Sequence, residues 1–157
     1  MQSDQELSSI CKRIGVPLIG IYTKDKLPKE RRNGAYIINM QDDNAGSGSH
    51  WSSFIIEGRH AAYFDSFGIH APANVQLYLY PYRPYLYNTK HIQSIQTGFC
   101  GEYCAFWLKY MYQFHNLSLR QRMINFDRLW TNNTSESLKK LKMYMKDVFK
   151  DKHFDNV

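Results

Sequence analysis

No stretch of this chain approaches the ~20 consecutive apolar residues that a membrane-crossing helix needs. The first residues, MQSDQELSSICKRIG, are polar and amphipathic and lack the apolar centre of a secretory leader. Cysteine is scarce: there are three, an odd number, at spacings that fit neither a disulfide framework nor a zinc site. With no export signal, reduced thiols inside a cell are the expectation, and secretion and membrane residence are not. His60, His70, His91, His115 and His153 lack metal-ligand spacing, so no metal centre is expected. Residues 46–49, GSGS, lack the Gly-Lys-Ser/Thr ending of a phosphate-binding loop and read as a flexible loop beside a site. There is no internal repeat, linker or second domain, so residues 1–157 read as one domain.

What is present suits a globular protein. A chain of 157 residues with 43% hydrophobic content can bury a real core. Aromatic content is high, with 12 tyrosines. Tyr78, Tyr80, Tyr82, Tyr85 and Tyr87 are read mainly as packing residues with their hydroxyls at the surface. The formal net charge of +6 suits work near nucleic acid or acidic proteins, but it also suits many small basic enzymes.

Ser3-Asp4-Gln5-Glu6 is a capping box. Leu7, Ile10, Cys11 and Ile14 follow at helical spacing, and Gly15 ends the helix. Residues 16–22 read as a short strand, 24–34 as a charged loop and 35–40 as a buried strand. Two β-prone runs, WSSFII and HAAYFDSF, flank a turn near Glu57-Gly58-Arg59, which is a hairpin signature. Residues 72–80 suit a short helix and 85–88 another strand. Helices are expected from Cys100, over 119–130 and over about 136–150. The last carries Leu138, Leu141, Met145, Val148 and Phe149 on one face and lysines on the other.

Chemistry concentrates at residues 93–103, QSIQTGFCGEY, where Cys100-Gly101 opens an apolar helical run. A thiol at a helix N-terminus faces the positive end of the macrodipole and unpaired backbone N–H groups, a setting that favours the thiolate nucleophile. Gly101 lets a substrate carbonyl approach the backbone. A cysteine nucleophile also needs a base and a group to orient it. The hairpin supplies both: a turn near Gly58 places His50 within one diagonal step of Asp65, and such neighbours lie roughly 7–8 Å apart between backbone positions.

His50-Trp51 at a strand start, Asp65-Ser66-Phe67-Gly68 at the next strand's end, Gln93 seven residues before the cysteine, and Cys-Gly-x-Tyr-Cys at 100–104 follow in that order. In these four pieces the chain resembles the adenovirus-type (adenain-like) cysteine proteases. The likeness is nearest to the maturation proteases of Polinton/Maverick elements and virophages, in the clan that includes the SUMO and NEDD8 deconjugating proteases. The resemblance covers about residues 34–114.

It implies an α+β, papain-like fold in permuted His-Asp-Gln-Cys order, with a small central mixed sheet flanked by helices. Cys100 would be the nucleophile, His50 the base, Asp65 its orienting carboxylate and Gln93 an oxyanion donor beside the Cys100 N–H. Trp51 would roof the site and Gly101 would admit the substrate, giving a narrow slot that favours glycine. Adenovirus proteases carry Glu where Asp65 stands, and either carboxylate can orient a histidine. Gln96 rivals Gln93, with a spacing that fits the family less well.

The implied activity is cysteine endopeptidase cleavage of viral capsid or core precursors during virion maturation, inside the virion and the infected cell, in nucleus or cytoplasm. A monomer is expected, with no cofactor and no membrane. A peptide activator has no matching cysteine here, and nucleic-acid binding rests on charge alone. Two other readings are a deconjugating protease for ubiquitin-like tails and a non-enzymatic virion or nucleic-acid-binding protein that retains the fold. An acyltransferase using an amine acceptor is a further one.

Overall fold

The computed structural model describes residues 3–40, 50–94 and 97–149, with side chains as far as 146. The loop at 41–49, Gln96, the side chains of Val148 and Phe149, and His153 lie outside the described residues. The protein is α+β, a five-stranded mixed sheet flanked by helices, in the order α1 (Asp4–Arg13), β1 (Leu18–Thr23), β2 (Gly34–Asn39), β3 (Trp51–Glu57), β4 (His60–Phe64), α2 (Ala73–Tyr78), a 3₁₀ turn (Tyr80–Tyr82), β5 (Leu86–Tyr87), α3 (Cys100–Gln113), α4 (Leu119–Asp127) and α5 (Thr134–Phe149).

The strands lie side by side in chain order, and the sheet is mixed at both margins. β1 runs parallel to β2, the β2–β3–β4 unit is antiparallel, and β5 runs parallel to β4. The hairpin closes with Glu57 opposite His60, leaving Gly58 and Arg59 as a two-residue turn. Gly58 has φ +63°, the left-handed conformation such a turn requires.

Alternation along the strands sorts the core into two layers. Ala35, Ile37, Trp51, Ile55, Ala62 and Phe64 share a face, and they join a cluster that includes residues of α1, α3, α4 and α5. Tyr36, Ile38, Phe54, Ile56, Ala61 and Tyr63 face the other way, toward Val75 and Tyr78 of α2. Burial on both faces explains why β2 reads as an unbroken apolar run. α3 is apolar nearly all round, as a helix enclosed by its neighbours must be.

The helix ends follow the capping residues. Ser3 Oγ accepts from Glu6 N, and Gly15 follows α1 with φ +76°. Asn133 Oδ1 accepts from Ser135 N and Glu136 N at the start of α5. α4 stops at Asp127, and residues 128–130 continue as turns in which Leu129 N donates to Phe126 O and Trp130 N to Asp127 O. The Nζ of Lys90 donates to the carbonyls of Asp127 and Trp130 there, so a cation closes the negative helix end. Among the described residues no helix is long and apolar enough to cross a membrane.

Candidate active site

The start of β3, the end of β4 and the N-terminus of α3 meet at one end of the sheet. The pairing of Ser53 with Phe64, carried one step further, sets Asp65 opposite Ser52 and diagonal to His50. There His50 Nε2 lies 3.0 Å from Asp65 Oδ1. The Asp65 side chain is wholly buried and that of His50 is 13% exposed. The other imidazole nitrogen, Nδ1, is buried and has no hydrogen-bond partner of ordinary geometry among the described residues; the group that acts on the ring besides Asp65 is the Cys100 sulfur, to which Nδ1 is left. Cys100 is 1% exposed, and its Sγ accepts from the main-chain N–H of Trp51 at 3.4 Å.

Burial by itself pushes the His50 pKa down. Hydrogen bonding to Asp65 and Cys100, and the negative charge of both, outweigh it and raise the value from 6.5 to about 9. The imidazole is therefore an imidazolium at neutral pH, next to a sulfur at a helix N-terminus. Among the described residues no side chain caps α3, which leaves its first-turn N–H groups without that competitor for a developing oxyanion.

The segment Asp65-Ser66-Phe67-Gly68 is a single tight turn, closed by Gly68 N donating to Asp65 O at 2.8 Å. Each of its residues serves the site differently. Asp65 Oδ1 also accepts from Phe67 N at 2.8 Å, which fixes the carboxylate. The Phe67 ring stacks on the His50 imidazole, with centroids 4.1 Å apart and planes 10° from parallel. Gly68 has φ +72°, and a Cβ there would meet Thr89 O at 2.5 Å, so only glycine lets the two backbones pass. Ser66 turns the other way, toward Gln93. Asn88 holds the Asp65 main chain from outside the turn. Its Oδ1 accepts from Asp65 N at 3.0 Å and its Nδ2 donates to Asp65 O at 2.7 Å.

Gln93 is 1% exposed and lies in the same region. Its Oε1 accepts from Ser66 Oγ, and its Nε2 donates to Thr97 O at 3.1 Å and Thr97 Oγ1 at 3.2 Å. Gly101 is buried in the first turn of α3. Trp51, the expected roof, is buried in this structure. Trp51 is 2% exposed and belongs to the core cluster with Cys104 and Trp107. Strand alternation is the reason, since residues 51, 53 and 55 point to the α3 side of the sheet. Trp51 gives the site its backbone N–H, and Phe67 supplies the ring against the imidazole.

Sequence reasoning passed over Phe67, Ser66, Asn88 and Thr97 as participants. For the first two the signal was present in the Asp-Ser-Phe-Gly run itself. Asn88 and Thr97 carry no motif.

The other two thiols are set apart from this chemistry. Cys11 and Cys104 are both 0% exposed. Burial pushes the Cys11 pKa up to about 12 and holds Cys104 well above the ordinary thiol range. Cys104 Sγ donates to Trp51 O at 3.5 Å, a structural contact. Among the described residues no group of three His, Cys, Asp or Glu side chains is placed to hold a metal ion. Two clefts of about 500 Å³ lie elsewhere, one between α1 and β1 and one between the Gly58 turn and the start of α4.

The constellation is a thiol, an imidazolium and an orienting carboxylate, brought together from positions 100, 50 and 65. It can form a thiolate nucleophile and return a proton to a leaving group.

Among solved structures the chain is similar to two of the ASFV pS273R protease. One is 19% identical with a TM-score of 0.45, over 73% of this chain and 41% of that one. The other, the Se-Met form, is 21% identical with a TM-score of 0.45, over 95% of this chain and 53% of that one. The chain thus spans about half the length, or less, of the solved chains it matches. No protein-family model matches, and no curated protein matches by sequence.

Proposed function

We propose that this chain is a cysteine endopeptidase, with Cys100 as nucleophile, His50 as its proton partner, Asp65 as the carboxylate that orients His50, and Gln93 and the Cys100 N–H as oxyanion donors. The observation that carries this reading is the His50 Nε2–Asp65 Oδ1 contact of 3.0 Å beside the buried Cys100 thiol. With Asp65 on Nε2, the proton shared with sulfur resides on Nδ1. The Cys100 thiolate attacks the scissile carbonyl, and the carbonyl π electrons move onto oxygen. His50 gives its Nδ1 proton to the leaving amine as the C–N bond breaks, and an acyl-enzyme remains. Water, deprotonated by His50, then attacks the thioester and releases the acid and the thiol.

The substrates we assign are viral capsid or core precursor polypeptides, cut beside glycine-containing sites during virion maturation, within the virion and the infected cell. This finer reading rests on the resemblance of residues 50–51, 65–68, 93 and 100–104 to the adenovirus-type proteases. The enzyme would act as a monomer and without a cofactor, with a peptide or DNA activator left to experiment.

The test is reaction of the purified protein with a Gly-Gly peptide vinyl-methyl-ester probe, with labelled sites mapped by mass spectrometry in wild type, Cys100→Ala and His50→Ala. Labelling at Cys100 alone, lost in both variants, supports the reading. Equal labelling of Cys11 and Cys104 sinks it. Wild type is then offered glycine-containing precursor peptides and a ubiquitin-like precursor. Cleavage of the latter alone would replace the maturation substrates with deconjugation.

A further inference from the structure

We propose that Ser66 is a positioning residue for the Gln93 amide: its hydroxyl anchors the Oε1 end, so that the N–H end, which the Thr97 carbonyl selects, stays in place to serve the oxyanion. This inference rests on the protease reading above.

A glutamine amide has a donating end and an accepting end of nearly the same shape, so its hydrogen-bond partners decide which end points where. At one end Gln93 meets the main-chain carbonyl oxygen of Thr97 at 3.1 Å. A carbonyl oxygen only accepts, so this end must be the NH₂ group. The same end meets Thr97 Oγ1 at 3.2 Å, and that hydroxyl donates its proton to Ser94 O at 2.9 Å. Thr97 therefore presents lone pairs alone to Gln93.

The other end is then Oε1, and it faces Ser66 Oγ, which must donate. Ser66 is 0% exposed and Gln93 1%, so no bulk water replaces this donor. The Ser66 carbonyl also accepts from Ile92 N at 3.0 Å and Gln93 N at 3.1 Å, tying the two main chains together.

An inverted amide would set oxygen against the oxygens of Thr97 and leave the Ser66 hydroxyl facing NH₂. In the same pose it would turn lone pairs toward a developing oxyanion. The Thr97 carbonyl sets the sense of the amide, the Ser66 hydroxyl anchors its Oε1 end, and Thr97 engages the NH₂ end in the resting chain until a substrate carbonyl oxygen competes for it. Because Ser66 follows Asp65 in one turn, that turn sets both the imidazole's partner and the oxyanion donor.

The experiment is a double-mutant cycle of Ser66→Ala and Gln93→Ala with three readouts. These are kcat and KM on a glycine-containing peptide, affinity for a glycine peptide aldehyde, whose thiol adduct carries a tetrahedral oxygen, and the rate of Cys100 alkylation by iodoacetamide, which forms no oxyanion. Ser66→Ala is expected to lower kcat and aldehyde affinity by roughly 10–100-fold, short of the roughly 100–1,000-fold loss for removing a donor outright. KM and alkylation should stay within about threefold, and the double variant should be no worse than Gln93→Ala.

Additive losses, or an alkylation rate that falls in step with kcat, would overturn the inference. A fourth readout is independent of turnover. The Gln93 side-chain NH₂ resonances, assigned by their disappearance in Gln93→Ala, should shift and exchange faster with water in Ser66→Ala. Unchanged resonances overturn the inference. Resonances that respond, in a wild-type chain that hydrolyses nothing, count against the protease reading and leave the Ser66–Gln93 link standing.

Discussion

Replacing Asp65 by Asn tests the electrostatics of the site with little change of shape. In the folded chain the His50 pKa rises from 6.5 to about 9 against the opposing effect of burial. At about 1.4 kcal/mol per unit, that shift corresponds to roughly 3 kcal/mol of preference for the imidazolium, shared between Asp65 and Cys100. Asn at 65 can still accept from Phe67 N and from His50, but the negative charge is gone. Removing a single partner charge at such a distance typically moves a pKa by about 1–3 units, so His50 in the variant should titrate about 1–2 units lower.

The sign with respect to stability follows from linkage. A group whose pKa is raised on folding stabilises the fold fully below its unfolded value near 6.5, and the contribution is lost as pH rises through about 9. Asp65→Asn should therefore cost about 1.5–2.5 kcal/mol more at pH 6 than at pH 10. The assays are the NMR titration of the His50 ring and denaturant unfolding at both pH values, on wild type and variant. A wild-type His50 that titrates near 6.5, or a His50 pKa that ignores Asp65→Asn, would refute the reasoning.

Peptide hydrolysis should fall on the basic side as His50 loses its proton near pH 9, because the leaving amine then has no acid. Alkylation of Cys100, which needs no proton, should show no such fall. Iodoacetamide at neutral pH should modify Cys100 well before Cys11 and Cys104, whose pKa values burial raises, and peptide mapping before and after denaturation would show the order. Phe67→Ala removes the ring stacked on His50, and a contact worth about 0.5–1.5 kcal/mol predicts a kcat loss of roughly 2–12-fold with the fold intact by circular dichroism. Gly68→Ala forces a left-handed residue and a Cβ against Thr89 O. It should lower stability by more than ~1 kcal/mol and reduce turnover through the displaced Asp65 turn, as read by denaturant midpoint and kcat. Arg122 is 1% exposed and binds Glu57, Met111 O and Ser118 O, so Arg122→Ala should cost roughly 2–4 kcal/mol in urea unfolding while leaving the His50 pKa unchanged.

Local chemistry carried much of this protein in its sequence. The Ser3 cap, the apolar spacing of Leu7, Ile10 and Cys11 and the glycine at 15 delimit α1, because capping and helical periodicity act within a few residues. The Gly58 turn sets the hairpin register, since a two-residue turn leaves the strands one pairing. That register brings His50 to Asp65 across a gap of 15 residues. The α+β class followed from the resemblance of the His-Trp, Asp-Ser-Phe-Gly, Gln and Cys-Gly pieces, while patterning placed a short helix over 72–80, found at 73–78, and the cysteine at the mouth of α3.

Only the tertiary structure decided the rest. Alternation on β3 packs the Trp51 indole into the cluster that also holds Cys100, and the ring stacked on the imidazole is that of Phe67. The choice of Nε2 for Asp65, the Asn88 clamp and the Ser66–Gln93–Thr97 chain of hydrogen bonds depend on how three separate segments dock at one end of the sheet. The parallel pairings at the sheet margins depend on the same docking. A pattern in one segment records which face is buried, whereas the partner of a buried polar atom is set by whatever packing brings within about 3 Å of it.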